Sequence, residues 1–389
     1  MSITTNKKLI PYGHQWIDQR DIDEVVKVLK TDWITQGPKI EEFEKSVAKY
    51  CGVKYAVAVS SGTAALHAAY AAAGIKAGDE VITTPLTFAA TAYTIALLGA
   101  KPVFADIKED TFNIDPKKIE KKITKRTKAI APVDFAGQPC DYKEIFKIAK
   151  KHKLLVIEDA AQSFGAEYKR KRIGSFADLT TLSFHPVKTI TTGEGGMILT
   201  NNKGFYEKLK VFRHHGIIKK PERGSWYYEI KDLGHNFRIT DFQCALGLSQ
   251  LKKIGKFIKR RREIVARYNR ALKDIKEIIL PVEKEDRKSA WHLYIIQLSL
   301  EKLKTNRKKI FEKFQKEGVG VQVHYLPLHL QPFFQRKFGY KIGDFPIAEK
   351  YYQRAITLPL FPAMREEDIA RVVKIVKETI QFYKKYEIL

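Results

Sequence analysis

Three short stretches hold residue types that could do chemistry. In SFHPVKTITTGEGG, residues 183–196, Lys188 follows an apolar run and precedes a glycine-rich turn. Pro186 stops a helix from starting early, and the glycines allow tight turns and close approach to a ligand. A desolvated lysine with a lowered pKa can be a nucleophile, a base or a Schiff-base former. In VIEDAAQSFGA, residues 156–166, an apolar run delivers Asp159 to the end of a strand. A carboxylate there can be a helix cap, a metal ligand or the partner of a buried cation. In SSGTAAL, residues 60–66, a strand ends, Gly62 turns the chain and a helix begins. A helix N-terminus has unpaired N–H groups and a partial positive charge, which suits a phosphate. Thr63 could add a hydroxyl. The plainer reading of this stretch is a Ser/Thr cap.

The elements must bring these stretches together. KYAVAVS (54–60) is predicted as a strand, and GTAALHAAYAAAG as a helix closed by Gly74. DEVITT, KPVFADI, TKAIAPVDF, LLVIED, DLTTLSF and GMILT read as further strands. TFAATAYTIALLGA and DYKEIFKIAKKHK read as helices, the second opened by a capping Asp141. Strands alternating with helices imply a parallel sheet covered on both faces, with right-handed crossovers. Ligands of such sheets collect beyond the carboxyl ends of the strands, where all three stretches fall. After about residue 250 the pattern changes. One long helix (KKIGKFIKRRREIVARYNRALKDI) is followed by strand AWHLYIIQLSL, helix RKKIFEKFQKEG, strand VGVQVHYLP and terminal helix REEDIARVVKIVKETIQFYKKY. The expected organisation is an α/β chain with a large domain over 1–250 and a smaller α+β domain over 251–389.

Composition narrows the classes. The 389 residues exceed one ordinary core, and 44% are apolar, enough for real cores. No run is apolar enough to span a bilayer, and MSITTNKKLIPYGHQ has no apolar leader core. A cytoplasmic protein is expected, with no membrane partner. Cys51, Cys140 and Cys244 are widely spaced and form neither a metal motif nor a disulfide framework. They read as core thiols, and no metal is expected. The net charge is +26. Its basic residues are dispersed along amphipathic helices rather than gathered in one patch, as in KKIEKKITKRTK, KKIGKFIKRRRE and KKYEIL. A DNA-binding regulator would want a helix-turn-helix or zinc module, and neither is visible, so no nucleic-acid partner is expected. The charge should still speed the approach of phosphate-bearing ligands.

A phosphate cradle, a carboxylate and an amine are together what pyridoxal phosphate requires: a lysine Schiff base, an acidic partner for the pyridine nitrogen and a helix N-terminus for the phosphate. The chain also resembles, essentially end to end, the DegT/DnrJ/EryC1/StrS sugar-nucleotide aminotransferases. The resemblance runs through ITQGPKIEEFE, SSGTAALHAA, DEVITTPLTFAAT, GAKPVFADI, NIDP, TKAIAPVDFAGQPCD, EDAAQSFGA, SFHPVKTITTGEGG, LGHNFRITDFQCALGLSQL, VQVHYLP and GDFPIAE. It implies a type I aspartate-aminotransferase fold and pyridoxal phosphate as cofactor. It implies that Lys188 holds the cofactor and acts as acid–base, that Asp159 pairs with the ring nitrogen and that Gln162 contacts the phenolic oxygen. Phe88 would stack on the ring, and Gly62, Thr63 and Ser183 would bind the phosphate. Asn236 would reach the cofactor of a partner subunit, making a homodimer with shared active sites. His185, His324, Tyr325 and His329 are candidates for substrate contacts.

SFHPVKTITTGEGG, GQPCD and WYYEIKDLGHNFR are most similar to the branch that aminates C4 of a UDP-4-keto-6-deoxy sugar on the route to pseudaminic acid. Members near that branch often carry His where this chain has Gln162. AWHLYII is similar to the branch acting on UDP-4-keto-arabinose, and other relatives act on dTDP-keto-sugars. L-glutamate is the expected amino donor. Members that dehydrate C3 carry His at the lysine position, so Lys188 favours transamination.

Overall fold

The computed structural model describes residues 8–385. Residues 1–7, read above for a leader, and 386–389, the end of the basic KKYEIL stretch, lie outside it.

Seven strands form the central sheet. Their order is Tyr55–Val59, Gly196–Thr200, Leu179–Ser183, Leu155–Asp159, Thr127–Ala131, Glu80–Thr83 and Lys101–Phe104. Successive side chains leave a strand on opposite faces, and here the two faces feed two cores. Ala56, Ala58, Val156, Leu182 and Met197 join one cluster. Val57, Val59, Ile157, Leu179 and Ile198 join the other, under the alanine-rich helix Gly62–Ala72. Burial on both faces explains why these strands are continuously apolar.

The sheet is mostly parallel, but Gly196–Thr200 runs antiparallel to both neighbours. The connection that precedes it, residues 184–195, holds no helix that could cross over, so the chain turns straight back. That connection contains Lys188.

The C-terminal residues build a second sheet, Ile278–Ile279, Tyr294–Leu298 and Ala355–Leu358. Helices Ile254–Leu272, Arg307–Lys316 and Glu366–Tyr383 pack around it, and Ile10 from the start of the chain enters the same core.

Two local expectations are corrected. VGVQVHYLP is not a strand: Val319 bridges to Ile10 and Gln322 to Thr357, one residue each. Gly320 donates to the Ile10 carbonyl at 2.7 Å, so the segment is shared between two partners and never runs a ladder. The strand in this region is Ala355–Leu358 instead. Asp141 stands at the N-cap of Tyr142–His152 but does not cap it. Its carboxylate is taken by Lys108 at 2.7 Å and Arg287 at 2.8 Å, two cations that outcompete a backbone N–H.

Candidate active site

Lys188 is held in a loop that closes on itself. The Phe184 N–H donates to the Gly195 carbonyl at 2.9 Å, and the Phe184 carbonyl accepts from the Thr192 N–H at 3.0 Å. Phe184 is fully buried against Phe43 and Phe164, which anchors the loop in the core. The Lys188 N–H donates to the His185 carbonyl at 2.9 Å. The side chain is half-buried. Loss of hydration pushes its amine down to about 8, while the charge of Asp159 acts the other way. About a tenth of such an amine is neutral and nucleophilic at pH 7.

Asp159 ends the Leu155–Asp159 strand and is buried. Its Oδ2 accepts from the Thr91 hydroxyl at 2.6 Å, and its Oδ1 accepts from the Ala161 N–H at 3.1 Å. Burial raises its carboxyl above the usual range, against the Thr91 and Ala161 hydrogen bonds and the Lys188 charge. Thr91 in turn lies 2.8 Å from the Thr87 hydroxyl. This pair was not legible in the sequence: Thr87 lies in the bend before helix Ala89–Leu97, which carries Thr91.

The predicted phosphate cradle comes together. Ser61 caps helix Gly62–Ala72, its hydroxyl accepting from the Ala64 N–H at 3.1 Å. Gly62 packs on Ser183: a Cβ added there would stand 2.8 Å from the Ser183 Cβ. A Cβ on Gly196 would meet the Ser61 carbonyl oxygen at 2.3 Å. Two strand ends and the helix N-terminus therefore meet without intervening side chains, and Thr63 stands half-buried in the first turn.

Gln162 is fixed at both ends. Its Oε1 accepts from the Ala136 N–H at 2.7 Å and its Nε2 donates to the Tyr325 hydroxyl at 3.1 Å. Tyr325 also lies with its ring 6.1 Å from that of Phe88, which is exposed. His324 is buried, bonded to the Thr357 hydroxyl at 2.8 Å. Burial pushes it down to about 3, and the Lys188 charge adds to this, so the ring is neutral. Burial holds His292 far below its ordinary range, and the nearby Lys188 and Arg261 charges act the same way. AWHLYII carried that histidine, but its apolar setting read as strand. His185 is exposed.

Two expected site residues stand apart. His329 is fully buried, bonded to Glu349 at 2.9 Å and packed on Phe345. It has no exposed atom to offer a substrate, so the structure makes it a packed histidine. Asn236 is exposed, on the segment whose Phe237 carbonyl accepts from the Ser60 N–H at 2.9 Å.

The arrangement fits pyridoxal phosphate. It offers an amine of lowered pKa, one buried carboxylate acting on that amine, and a helix N-terminus kept clear by glycine. Among the described residues no group of His, Cys, Asp and Glu is placed to hold a metal ion, and no helix is long and apolar enough to cross a membrane.

Comparisons with known proteins agree with this geometry. A family model described as the DegT/DnrJ/EryC1/StrS aminotransferase family matches residues 15–377. The spore coat polysaccharide biosynthesis protein SpsC of Bacillus subtilis is 44% identical over 96% of this chain and 97% of its own length. A UDP-4-amino-4,6-dideoxy-N-acetyl-beta-L-altrosamine transaminase of Campylobacter jejuni is 42% identical over 96% of both chains. The solved structure of Helicobacter pylori PseC, an aminotransferase involved in the biosynthesis of pseudoaminic acid, superposes with a TM-score of 0.92 at 37% identity. It covers 97% of this chain and 100% of its own. Solved relatives include forms carrying pyridoxal phosphate and pyridoxamine phosphate.

Proposed function

This chain belongs to the DegT/DnrJ/EryC1/StrS aminotransferase family of pyridoxal-phosphate-dependent sugar aminotransferases, and from that premise we propose that it transfers an amino group from L-glutamate to C4 of a UDP-4-keto-6-deoxy sugar on the route to pseudaminic acid. The observation that carries the reading is the placement of half-buried Lys188, in the loop that follows Leu179–Ser183, where the charge of buried Asp159 acts on it.

The cofactor supplies an electron sink for the carbanion left when a proton departs from the donor's α-carbon. Lys188 Nζ would hold it covalently, Asp159 would keep its ring nitrogen protonated and Gln162 would face its phenolic oxygen. Phe88 would cover the ring, and Gly62, Thr63 and Ser183 would take the phosphate. With the amine free, Lys188 Nζ would be the base that takes the donor's α-proton and the acid that gives it back to complete the first half-reaction. In the second half-reaction the same exchange would run in reverse, with Lys188 Nζ placing the proton on C4 of the sugar. His185 and Tyr325, the reachable members of the expected set, would face the sugar nucleotide.

The active unit in this reading is a homodimer in which Asn236 reaches the partner's cofactor. Exposed Trp226, Ile230 and Leu233 on the same segment, with Val26, Leu29 and Trp33 near the N-terminus, support it as apolar surface in want of cover. The three buried free cysteines suit a reducing cytoplasm.

The deciding test is the visible spectrum of the purified protein. A yellow band bleached by L-glutamate and restored by the UDP-4-keto-6-deoxy sugar would support the reading. A band that glutamate leaves unchanged would remove glutamate as donor. A second reading, another keto-sugar nucleotide, is favoured by Gln162 and by the spore-coat relative at 44% identity. UDP-4-keto-arabinose and dTDP-keto-sugars in the same assay separate the two.

A further inference from the structure

On the opposite face of the strand that presents Asp159 lies a second carboxylate cluster. Glu158 precedes Asp159, so its side chain leaves the sheet on the other side, where it is fully buried. Its Oε2 accepts from the Thr180 hydroxyl at 2.6 Å, and its Oε1 lies 2.6 Å from the Tyr142 hydroxyl. The same hydroxyl lies 2.8 Å from Asp134 Oδ1. Asp134, also fully buried, accepts from the Cys140 N–H at 2.8 Å and from the Ser163 hydroxyl at 2.7 Å.

The hydrogens do not suffice if both carboxyls are ionised. A tyrosine hydroxyl has one hydrogen, and this one faces two carboxyl oxygens. It can donate to one. The other contact would set lone pair against lone pair at hydrogen-bond distance. Among the described residues, none of the hydrogen-bonding partners of the pair is Lys, Arg or His that could offset two charges. One additional proton repairs the count. Asp134 has three donors aimed at it and Glu158 has two, so the proton belongs on Glu158. Glu158 then donates to the phenol oxygen, and the phenol donates to Asp134. The other titratable groups facing the pair are Cys140, Cys51 and Tyr142, all raised by burial and therefore neutral. Burial, with the Asp134 charge, holds Glu158 well above the usual carboxylate range.

We propose that Glu158 is protonated in the native protein and, through Tyr142 and Asp134, acts as a positioning residue for Asp159 and Gln162. The connections are short. The Asp134 N–H donates to the Asp159 carbonyl at 3.2 Å. Ser163, which bonds Asp134, follows Gln162 in the chain, and Ala136, two residues beyond Asp134, donates its N–H to Gln162 Oε1 at 2.7 Å. The positioning role rests on the reading that Asp159 and Gln162 face the cofactor; the site of the proton does not.

The test compares wild type with Glu158→Gln, which keeps a donor, and Glu158→Met, which fills the volume without one. Infrared spectra of the apo-proteins near neutral pH should show a carboxylic-acid C=O band in wild type that Glu158→Gln removes. A band unchanged by the substitution, or none in wild type, overturns the proton. A group raised in the fold contributes stability that is lost as pH rises. The Tm of Glu158→Gln should therefore gain on wild type as pH rises above the ordinary carboxylate range, and parallel curves would count against the proposal. Pyridoxal phosphate should bind Glu158→Gln within about twofold of wild type and Glu158→Met at least about tenfold more weakly. Equal binding by the two variants overturns the positioning role. Failure of wild type to bind the cofactor would sink the underlying site reading, and the infrared band would still decide the proton.

Discussion

Thr91 donates its hydroxyl hydrogen to Asp159 Oδ2 at 2.6 Å. Its hydrogen thus spent, Thr91 can only accept from Thr87, 2.8 Å away. The two threonines form a directed relay that favours the ionised form of a carboxylate which burial disfavours. Thr91→Val keeps the shape and removes the donor. A hydrogen bond to a charged group is worth about 1.5–3 kcal/mol, so affinity for pyridoxal phosphate should fall roughly tenfold to a hundredfold. An absorbance titration of the apo-protein measures it, and unchanged affinity would remove Thr91 from the site.

Lys188 makes a pH prediction with a definite sign. Its amine is pushed down to about 8, and only the neutral form attacks a carbonyl. Cofactor uptake by the apo-protein should speed up as pH rises through about 8 and level off above it. Stopped-flow absorbance over that range checks the midpoint. A midpoint near the ordinary lysine value of 10.5 would mean the amine is solvated. Lys188→Ala should show no covalent band at any pH.

Much of the site was legible because it sits at strand ends, where apolar runs stop abruptly. Lys188, Asp159 and the Gly62 turn each follow such a run, and the structure brings all three to one edge of the sheet. What stayed hidden depends on long-range partners. Nothing local distinguishes Asp141 the cap from Asp141 the ion-pair partner, since Arg287 arrives from 146 residues away. VGVQVHYLP has the alternation of a strand, yet its neighbours in space are Ile10 and Thr357. The antiparallel return of Gly196–Thr200 was hidden for a related reason: strand direction follows from what the connecting loop can span.

Gly62 tests the cradle by volume alone. Its backbone does not need glycine's freedom, but an added Cβ would stand 2.8 Å from the Ser183 Cβ and 3.1 Å from its Oγ. Gly62→Ala should therefore cost about 1–3 kcal/mol as overpacking and weaken phosphate anchoring. Adding Ser183→Gly opens the space. Thermal melts of the single and double variants should show stability recovering, with cofactor affinity recovering less because the Ser183 hydroxyl is gone. Full loss of stability in both would place the strain elsewhere.

The histidines separate by burial. His329 is 0% exposed and bonded to Glu349, whereas His185 lies exposed within the Lys188 loop. His329→Ala leaves a cavity under Phe345 and takes from the Glu349 carboxylate one of its partners, leaving the Gly343 N–H. It should lower stability by about 2–4 kcal/mol while leaving KM for the sugar nucleotide near wild type in enzyme that remains folded. His185→Ala should do the reverse, raising KM severalfold at unchanged Tm. Melting curves and steady-state kinetics on both variants decide between a packed and a ligand-facing role, because a packing defect cannot raise KM selectively at constant stability. A raised KM in His329→Ala at unchanged Tm would return that residue to the substrate site.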